Sequence, residues 1–496
     1  MKGKENTLNH GFGHVMDILP TCLELAGEEW ELFDLSSDRT EMNDLASGMP
    51  EKVEEMNHLW EAWARRMGLV EYRPNVAIVF VDDMGYGDLS CYGNPMMESP
   101  NIDRLAAGGI RYTNFYVNSP ICSPSRVALN TGRHPMRYSI HSYIAGSGAN
   151  RRRAMADYLD PEAVTMARVF QENGYATGHF GKWHMGGGRD LGDVPHPAEY
   201  GFDQSLVSFE GIGDRVLFPG DNLCRQSAAL GRGRIIWAEK HDVHDPHLPD
   251  SSLLDRYREV TDNPWEQRFF AVLDELDRQI GRFMDTLDAM GELGHTILVF
   301  ISDNGPTDWP FYYDRDRYPD GYDGALYPPG STGGLFGRKW SLYEGGIRVP
   351  FLIQWKGHIP EGVTDNRTIL TAMDLFPSLV TLAGIDGPGN LDGEDMSPAF
   401  LGQPVKRTKP VMWEYASNPG GSIQPGNEKF ISPSLAIRDG NWKLLINADS
   451  TGAVLYNLAE DPGEQHNLVG ENRELAEKLA SRLLAWRRSM PVAIPE

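Results

Sequence analysis

Hydrophobic and polar positions alternate along the chain in blocks that predict strands and helices in turn. Residues 76–81 (VAIVFV) form a continuous apolar run, which is typical of a strand buried on both faces of a mostly parallel sheet. Further strands are predicted at residues 176–180, 296–301 and 349–355. Residues 265–290 carry apolar side chains at helical spacing, and Asp160-Pro161 has the form of a helix start. This alternation predicts an α/β core with helices on both faces of the sheet.

The pattern changes after about residue 400, where short strands replace the alternation. Asp439-Gly440 lies between two short apolar runs and suits a tight type I′ turn, so we expect a hairpin there. The elements predicted in this region are strands at residues 411–415, 435–438, 442–446 and 454–458, and a helix at residues 475–486. We therefore expect an α/β domain at residues 71–400, followed by a small α+β subdomain at residues 401–496, made of an antiparallel sheet and a helix.

The first 70 residues contain a partial repeat of the C-terminal region. Six residues recur at a fixed offset of 423, namely Leu32, Asp38, Glu41, Leu45, Trp63 and Met67 as Leu455, Asp461, Glu464, Leu468, Trp486 and Met490. A second set recurs at an offset of 357, namely Met16-Asp17 and Leu25-Ala26-Gly27 as Met373-Asp374 and Leu382-Ala383-Gly384. Because chance rarely produces matches in a fixed register, we interpret residues 1–70 as an appendage that resembles a shortened copy of the C-terminal region.

Acidic residues outnumber basic residues, which limits the partners to be expected. The chain of 496 residues has 70 Asp and Glu against 46 Lys and Arg, a formal net charge of −24. This balance argues against nucleic-acid binding, because a basic face supplies most of that affinity. An anionic small substrate is compatible with it, provided that a local cluster of cationic side chains reverses the field.

Four scattered cysteines and the lack of long apolar stretches limit the class of protein further. The cysteines form neither a disulfide framework nor a Cys-x-x-Cys zinc ribbon. No stretch approaches the roughly 18 apolar residues of a membrane helix, and the N-terminus has no apolar signal segment. We therefore expect a protein with no membrane partner that is cytoplasmic as written, with a periplasmic or secreted location left open.

Oxygen-bearing side chains follow two of the predicted strands. Asp82-Asp83 comes directly after the first strand, and Asp303-Asn304 follows the strand predicted at residues 296–301. In open α/β sheets ligands collect at the carboxyl ends of the strands, so we expect these side chains to meet. Three carboxylates and one amide suit Ca²⁺ or Mg²⁺ and do not suit zinc.

The segment around Cys122 carries the most specific pattern in the sequence. Residues 120–133 read PICSPSRVALNTGR, so Cys122 opens a short helix and Arg126 follows one turn later on the same face. Taken alone, Cys122 could be a buried structural thiol, but a helix N-terminus is also a ready anion site. The pattern C-S-P-S-R followed by T-G-R resembles the signature of the type I sulfatases, the formylglycine-dependent branch of the alkaline phosphatase superfamily.

Further motifs agree with this resemblance in their order along the chain. Gly181-Lys182-Trp183-His184 resembles a family motif that brings a Lys and a His to the sulfate. The positions that match site residues of the family are Cys122, Arg126, Lys182, His184, His244 and Lys339 for catalysis, and Asp82, Asp83, Asp303, Asn304 and Cys122 for a divalent cation. The resemblance covers roughly residues 72–490 and implies a mostly parallel mixed sheet sandwiched by helices. The implied cation is Ca²⁺, with Mg²⁺ as the alternative.

The resemblance also implies a mechanism for the hydrolysis of a small aryl or carbohydrate sulfate. A formylglycine-generating enzyme or an equivalent maturase would oxidise the cysteine, and the hydrated aldehyde would attack sulfur with help from the cation. His184 is the candidate base, and His244 with Lys339 would protonate the leaving oxygen. Arg126, Lys182 and Lys339 would hold the sulfuryl oxygens.

One region departs from the family pattern. Residues 237–241 (WAEKH), which precede His244, contain no apolar run long enough for a core strand. We therefore predict that one helix and one strand of the family fold are missing between residues 220 and 250, and His247 becomes a weaker candidate for the role of His244. Two alternative functions stay open: a phosphodiesterase or phosphonate monoester hydrolase of the same superfamily, and a truncated, non-catalytic relative that binds an anion.

Overall fold

A computed structural model describes most of the chain as two units. It describes residues 31–53, 55–56, 59–60, 73–186, 194–208, 234–240, 251–308, 328–416 and 423–491. The first unit is Met1–Arg73, and the second unit is Pro74–Glu496, which holds all the strands and α-helices named below.

The bounds of the elements are as follows. The strands are β1 (Asn75–Val81), β2 (Ile110–Tyr112), β3 (Phe115–Tyr116), β4 (Ala176–Lys182), β5 (Gln204–Ser208), β6 (Arg234–Lys240), β7 (Thr296–Ser302), β8 (Phe351–Gln354), β9 (Val363–Asp365), β10 (Leu370–Thr371), β11 (Val411–Glu414), β12 (Leu435–Asp439), β13 (Trp442–Ile446) and β14 (Val454–Asn457). The α-helices are α1 (Pro100–Ala107), α2 (Cys122–Thr131), α3 (Ser147–Arg152), α4 (Met166–Glu172), α5 (Ser251–Arg258), α6 (Pro264–Ala289), α7 (Glu344–Ile347), α8 (Ala372–Leu382), α9 (Ser397–Phe400) and α10 (Arg473–Arg488). Most of the elements expected from the sequence are present, with ends shifted by a few residues.

The large sheet has eight strands in the order β5-β4-β6-β1-β7-β8-β2-β9. Its centre is parallel, because β1 pairs in parallel with β6 on one side and with β7 on the other. β8 runs antiparallel to both β7 and β2. The apolar run of β1 is buried at every position from Val76 to Val81, as expected for a strand covered on both faces. The predicted fold class, a mostly parallel mixed sheet with helices, is confirmed.

Helices are placed against this sheet by their caps and apolar faces. α6 begins at Pro264 after Asn263, whose side chain accepts a hydrogen bond from the Trp265 N–H. One face of α6 packs with α1, β1 and β7 in a single apolar cluster. Within the described residues, no helix is both long and apolar enough to cross a membrane.

The small C-terminal sheet has the order β11-β12-β13-β14, and each of its pairs is antiparallel. β12 and β13 form the expected hairpin, but its turn differs from the prediction. Asp439 pairs with Trp442, so the turn residues are Gly440 and Asn441. Gly440 has a φ of 60°, a conformation that costs glycine little. The apolar face of α10 packs on this sheet.

The predicted helix start at Asp160-Pro161 is wrong. The Asp160 carboxylate accepts the Glu162 N–H and closes a turn, while the helix begins only at Met166. Thr165 is the actual cap, because its hydroxyl oxygen accepts the Arg168 N–H. Both Asp160 and Thr165 have cap-type side chains, and a second bond from the Thr165 hydroxyl to the Tyr200 carbonyl favours the later start.

The prediction that a core strand is missing before His244 is also wrong. β6 spans Arg234–Lys240 and lies in the middle of the large sheet, in parallel register with β1 and β4. Its apolar run is residues 235–238 (IIWA), which begins before the segment 237–241, and its backbone is paired on both sides. His244, His247 and the expected loss of a helix lie outside the described residues.

Candidate active site

Two parallel strands bring the predicted metal ligands together. β1 and β7 are neighbours in register, with Val81 opposite Ser302, so the residues after them leave the sheet at the same edge. The Asp83 N–H donates to Asp303 Oδ1 at 3.0 Å. The Asn304 amide donates to Asp83 Oδ1 at 2.7 Å. The sheet geometry alone therefore gathers side chains that are far apart in sequence.

Cys122 is the first residue of α2 and faces this carboxylate cluster. Its sulfur and one oxygen each from Asp82, Asp83 and Asp303 all lie within 4.8 Å of one another. A hydrogen bond to a neighbouring segment fixes the start of this helix, because the Ser123 hydroxyl oxygen accepts the Ile144 N–H at 3.0 Å. These side chains are almost fully buried. Cys122 is therefore part of the candidate metal site and is not an isolated structural thiol.

Three buried cations contact the carboxylates. Lys182 Nζ lies 2.8 Å from Asp82 Oδ2, and Lys339 Nζ lies 2.7 Å from Asp83 Oδ2. Lys339 Nζ is also 3.6 Å from the Cys122 sulfur.

The third cation, Arg126, braces the same cluster from the second turn of α2. Its guanidinium donates to Asp303 Oδ2 at 3.0 Å and to the Lys182 carbonyl at 3.1 Å. Arg126 thereby joins the cysteine helix, the β7 end and the Lys182 segment at one point. With every group counted as ionised, the three carboxylates and three cations have a formal net charge of zero.

His184 is buried near these charges with one unprotonated ring nitrogen. Nε2 lies 3.1 Å from the Ile144 carbonyl, which can only accept, so Nε2 carries the proton. Nδ1 is buried and has no hydrogen-bond partner among the described residues. Burial, together with the nearby Lys182 and Arg126, holds the pKa of His184 well below its usual value, so the ring is neutral.

Burial shifts the acids of the cluster towards their neutral forms. It raises the pKa of Asp303 to about 8, with a further contribution from the neighbouring Asp82. Burial also raises the pKa of Asp83, against the opposing effect of Lys339. The pKa of the Cys122 thiol is raised to about 12, again chiefly by burial. Carboxylates packed in this way gain from a bound cation that compensates their charge.

The chemistry of the donors fits a divalent cation. Asn304 uses its amide nitrogen for Asp83 and for the Gly305 carbonyl, while its buried Oδ1 has no hydrogen-bond partner in the described part of the chain. An unpartnered buried oxygen beside three carboxylates has the chemistry of a metal ligand. Asp82, Asp83, Asp303 and Asn304 supply the hard oxygen set that Ca²⁺ or Mg²⁺ prefers.

Sequence reasoning missed a second buried ion cluster behind the site. Lys443 of β13 lies 2.9 Å from Glu344 and 2.9 Å from Glu464, and a Glu464 oxygen accepts the Glu344 N–H. Glu344 opens α7, whose Gly346 carbonyl accepts the Gly305 N–H directly after Asn304. The local sequence signal for this close packing is the pair Gly345-Gly346 after Glu344. A side chain at either glycine would collide with the backbone of residues 337–341.

The structure thus brings Cys122, Arg126, Lys182, His184 and Lys339 into one buried site with the four metal-ligand candidates. The roles assigned to them stay predictions. His244 lies outside the described residues.

Comparisons with known proteins agree with this site. A family model described as sulfatase matches residues 74–385, and a model of the C-terminal region of N-sulphoglucosamine sulphohydrolase matches residues 332–489. Human arylsulfatase A is 32% identical over 80% of this chain and 83% of its own length. An N-acetylgalactosamine-6-O-sulfatase of Bacteroides thetaiotaomicron is 27% identical over 88% of this chain and 96% of its own length.

A solved structure agrees as well. A sulfatase described in connection with glycosaminoglycan metabolism by Bacteroides thetaiotaomicron superimposes with a TM-score of 0.67 and 25% identity, covering 84% of this chain and 100% of that one. Enzymes of this family typically use a formylglycine residue and a divalent metal ion. The chain belongs to the sulfatase family and is an enzyme that hydrolyses sulfate monoesters.

Proposed function

We propose that this sulfatase acts on sulfated saccharides, with a formylglycine made from Cys122 and a bound Ca²⁺ ion. The observation that carries the mechanism is the position of the Cys122 sulfur, within 4.8 Å of oxygens of three buried carboxylates and 3.6 Å from the Lys339 ammonium. The saccharide is supported by relatives named for N-acetylgalactosamine sulfate and by a solved relative from glycosaminoglycan metabolism. A formylglycine-generating enzyme or an equivalent maturase is the implied partner.

Charge explains why an anionic ester would bind in an acidic protein. The three carboxylates and three cations of the site balance, and a divalent cation held by Asp82, Asp83, Asp303 and Asn304 would polarise the nucleophile and a sulfuryl oxygen. With that cation the pocket carries an excess positive charge that matches a sulfate monoester. Ca²⁺ is favoured over Mg²⁺ because the ligands are all protein oxygens and Mg²⁺ usually retains several waters.

Each residue around Cys122 is assigned a separate role in this mechanism. Lys182 and Lys339 present buried ammonium groups beside the sulfur and would hold the sulfuryl oxygens. Arg126 is occupied by Asp303 and the Lys182 carbonyl, so its main role is to hold the cluster in place. His184 offers an unprotonated Nδ1. It would accept the proton of the free hydroxyl on the modified residue 122, so that the aldehyde forms again and the C–O bond to sulfate breaks. His244 is proposed as the acid for the leaving oxygen.

Mass spectrometry of the Cys122 peptide tests the proposal together with a matched set of substrates. Protein made with a maturase should contain the aldehyde at residue 122, and C122A, which cannot be matured, should show no turnover. One aryl leaving group presented as sulfate, phosphodiester and phosphonate monoester should be cleaved best as the sulfate. A preference for either phosphorus ester would favour the alternative hydrolase, and modified protein without any turnover would favour an anion-binding relative.

A sulfated galactosamine compared with an aryl sulfate then tests the substrate class. The proposal expects a higher kcat/KM for the sugar. A clear preference for the aryl ester would refute the saccharide assignment and leave the sulfatase activity intact.

A further inference from the structure

Residues 31–45 of the first unit, here called the N-terminal loop, reproduce the fold of residues 454–468, here called the C-terminal loop. The two segments share the offset of 423 residues found in the sequence. Leu45 N donates to the Leu32 carbonyl at 2.7 Å, and Leu468 N donates to the Leu455 carbonyl at 2.8 Å. The same pair of positions therefore closes both loops.

The side chains inside the loops also make the same bonds. The Asp38 carboxylate accepts the N–H groups of Met42 and Asn43, four and five residues later. The Asp461 carboxylate accepts the N–H groups of Gln465 and His466, again four and five residues later.

The backbone conformation matches at a demanding position. Glu41 and Glu464 have φ values of 53° and 51°, although neither is a glycine. The Leu32 N–H donates to the Asp44 side chain as the Leu455 N–H donates to the Asn467 side chain. Agreement in closing bonds, side-chain bonds and positive φ shows that the sequence repeat is a structural repeat.

The C-terminal loop shows what such a loop packs against. Its first residues are β14, which pairs antiparallel with β13, and Leu455 is fully buried there. Glu464 enters a pocket in which Lys443 and the Glu344 N–H hold its carboxylate. That pocket lies behind the active site, because Glu344 opens the helix that contacts the Asn304 loop.

The N-terminal loop has the same groups in exposed positions. Glu41, which corresponds to Glu464, is exposed, and Leu32 and Phe33, which correspond to Leu455 and Tyr456, are only half-buried. The loop thus keeps its internal bonds while its carboxylate and apolar residues remain accessible. A folded loop with accessible binding groups is a pre-organised docking element.

We propose that the N-terminal loop docks on the second unit of another copy of this chain, in the place of that copy's C-terminal loop. Residues 31–34 would pair with β13 as β14 does, and Glu41 would enter the pocket of Lys443 and the Glu344 N–H. The second copy is the chosen partner because its second unit contains, where its own C-terminal loop binds, the strand, ammonium and N–H that the N-terminal loop requires. This assembly is an exchange of equivalent segments between copies, and it uses none of the residues that contact Cys122.

The relative affinities of the two loops for the pocket determine which of them occupies it. Both loops offer the same carboxylate and the same strand pairing, so docking of one displaces the other at little net gain. Weakening the C-terminal loop should therefore favour the N-terminal loop of a neighbour. Weakening both should leave the pocket empty.

Variants at Glu41 and Glu464 of the full chain test this balance. The mass of E464A measured by light scattering should rise with protein concentration more steeply than that of wild type. The associated form of E464A should retain activity. E41A should match wild type in both measurements, while E41A/E464A should lose the added association and the retained activity. If E464A and E41A/E464A behave alike, the proposal is overturned.

A disulfide trap gives an answer that does not depend on the folding of E464A. Trp442 of β13 faces Asn457 of β14, and Asp34 occupies the position of Asn457 in the repeat. Under thiol-exchange conditions D34C/W442C should form a disulfide between two chains, which neither single-cysteine variant forms. N457C/W442C is the matched control and should form its bond within one chain. An absent bond, or a bond within one chain for D34C/W442C, would overturn the exchange between copies.

Discussion

Replacing Lys443 with methionine tests whether the ion cluster behind the active site supports the fold. The Lys443 ammonium lies 2.9 Å from an oxygen of Glu344 and 2.9 Å from an oxygen of Glu464, and all three side chains are fully buried. K443M keeps much of the apolar stem but removes the shared cation. Removing one partner of a buried ion pair typically costs about 3–5 kcal/mol, because the remaining charge has no compensation.

The two carboxylates do not share this loss equally. Burial alone would raise the pKa of Glu344, but Lys443 with Arg438 and Arg348 lowers it to about 2, so Glu344 keeps two cations in K443M. Burial raises the pKa of Glu464 to about 7 even with Lys443 present. Glu464 therefore takes up a proton at neutral pH when Lys443 is removed. This proton limits the cost, and we expect a loss near the lower end, about 3 kcal/mol.

The pH dependence of the loss follows from the same carboxyl. Because the pKa of Glu464 is raised from 4.5 to about 7, its contribution to stability is present below pH 4.5 and is lost as the pH rises through about 7. Without Lys443 its pKa rises further. The stability deficit of K443M should therefore be smaller at about pH 5.5 than at about pH 8.

Urea unfolding at these two pH values, with kcat and KM for an aryl sulfate, measures the effect. Lys406 is exposed, so K406M is the matched control and should behave as wild type. We expect K443M to lower kcat more than it raises KM, because Glu344 positions the helix beside the metal loop. The reasoning is refuted if K443M and K406M unfold at the same urea concentration, or if the stability deficit of K443M is independent of pH.

Three further predictions concern the active site itself. D303N should reduce calcium affinity, measured by calorimetry, because it removes a carboxylate from the cluster around Cys122; unchanged affinity would refute the ligand set. H184Q should lower kcat by about 10²–10⁴ with the aldehyde at residue 122 still formed, and an unchanged kcat would exclude His184 as the base. G305A should lower the thermal midpoint and the activity together, because a Cβ there would lie 1.9 Å from the Gly345 carbonyl oxygen; wild-type melting would show that the contact can relax.

The sequence predicts those parts of the fold and site that depend on local pattern. The apolar run of β1 and the strand-end rule are enough to place Asp82 beside Asp303, because register within a parallel sheet determines the edge. β6 is hidden when residues 237–241 are considered alone, because its apolar run is residues 235–238 (IIWA) and lies mostly before that segment. Lys443 and Glu344 are 99 residues apart, and a lysine in a short strand looks like an exposed residue until the neighbouring carboxylates are known.

The two ion clusters are linked through backbone contacts between α7 and the metal loop. The Lys339 N–H donates to the Pro306 carbonyl and the Gly305 N–H to the Gly346 carbonyl, so the Lys339 segment, the metal loop and α7 are tied together. These bonds join main chains packed too closely for side chains, and such contacts transmit small displacements with little relaxation. We therefore expect a shift of Glu344 in its cluster to move the metal loop. Loss of the C-terminal sheet should reduce turnover before it exposes the active site to solvent.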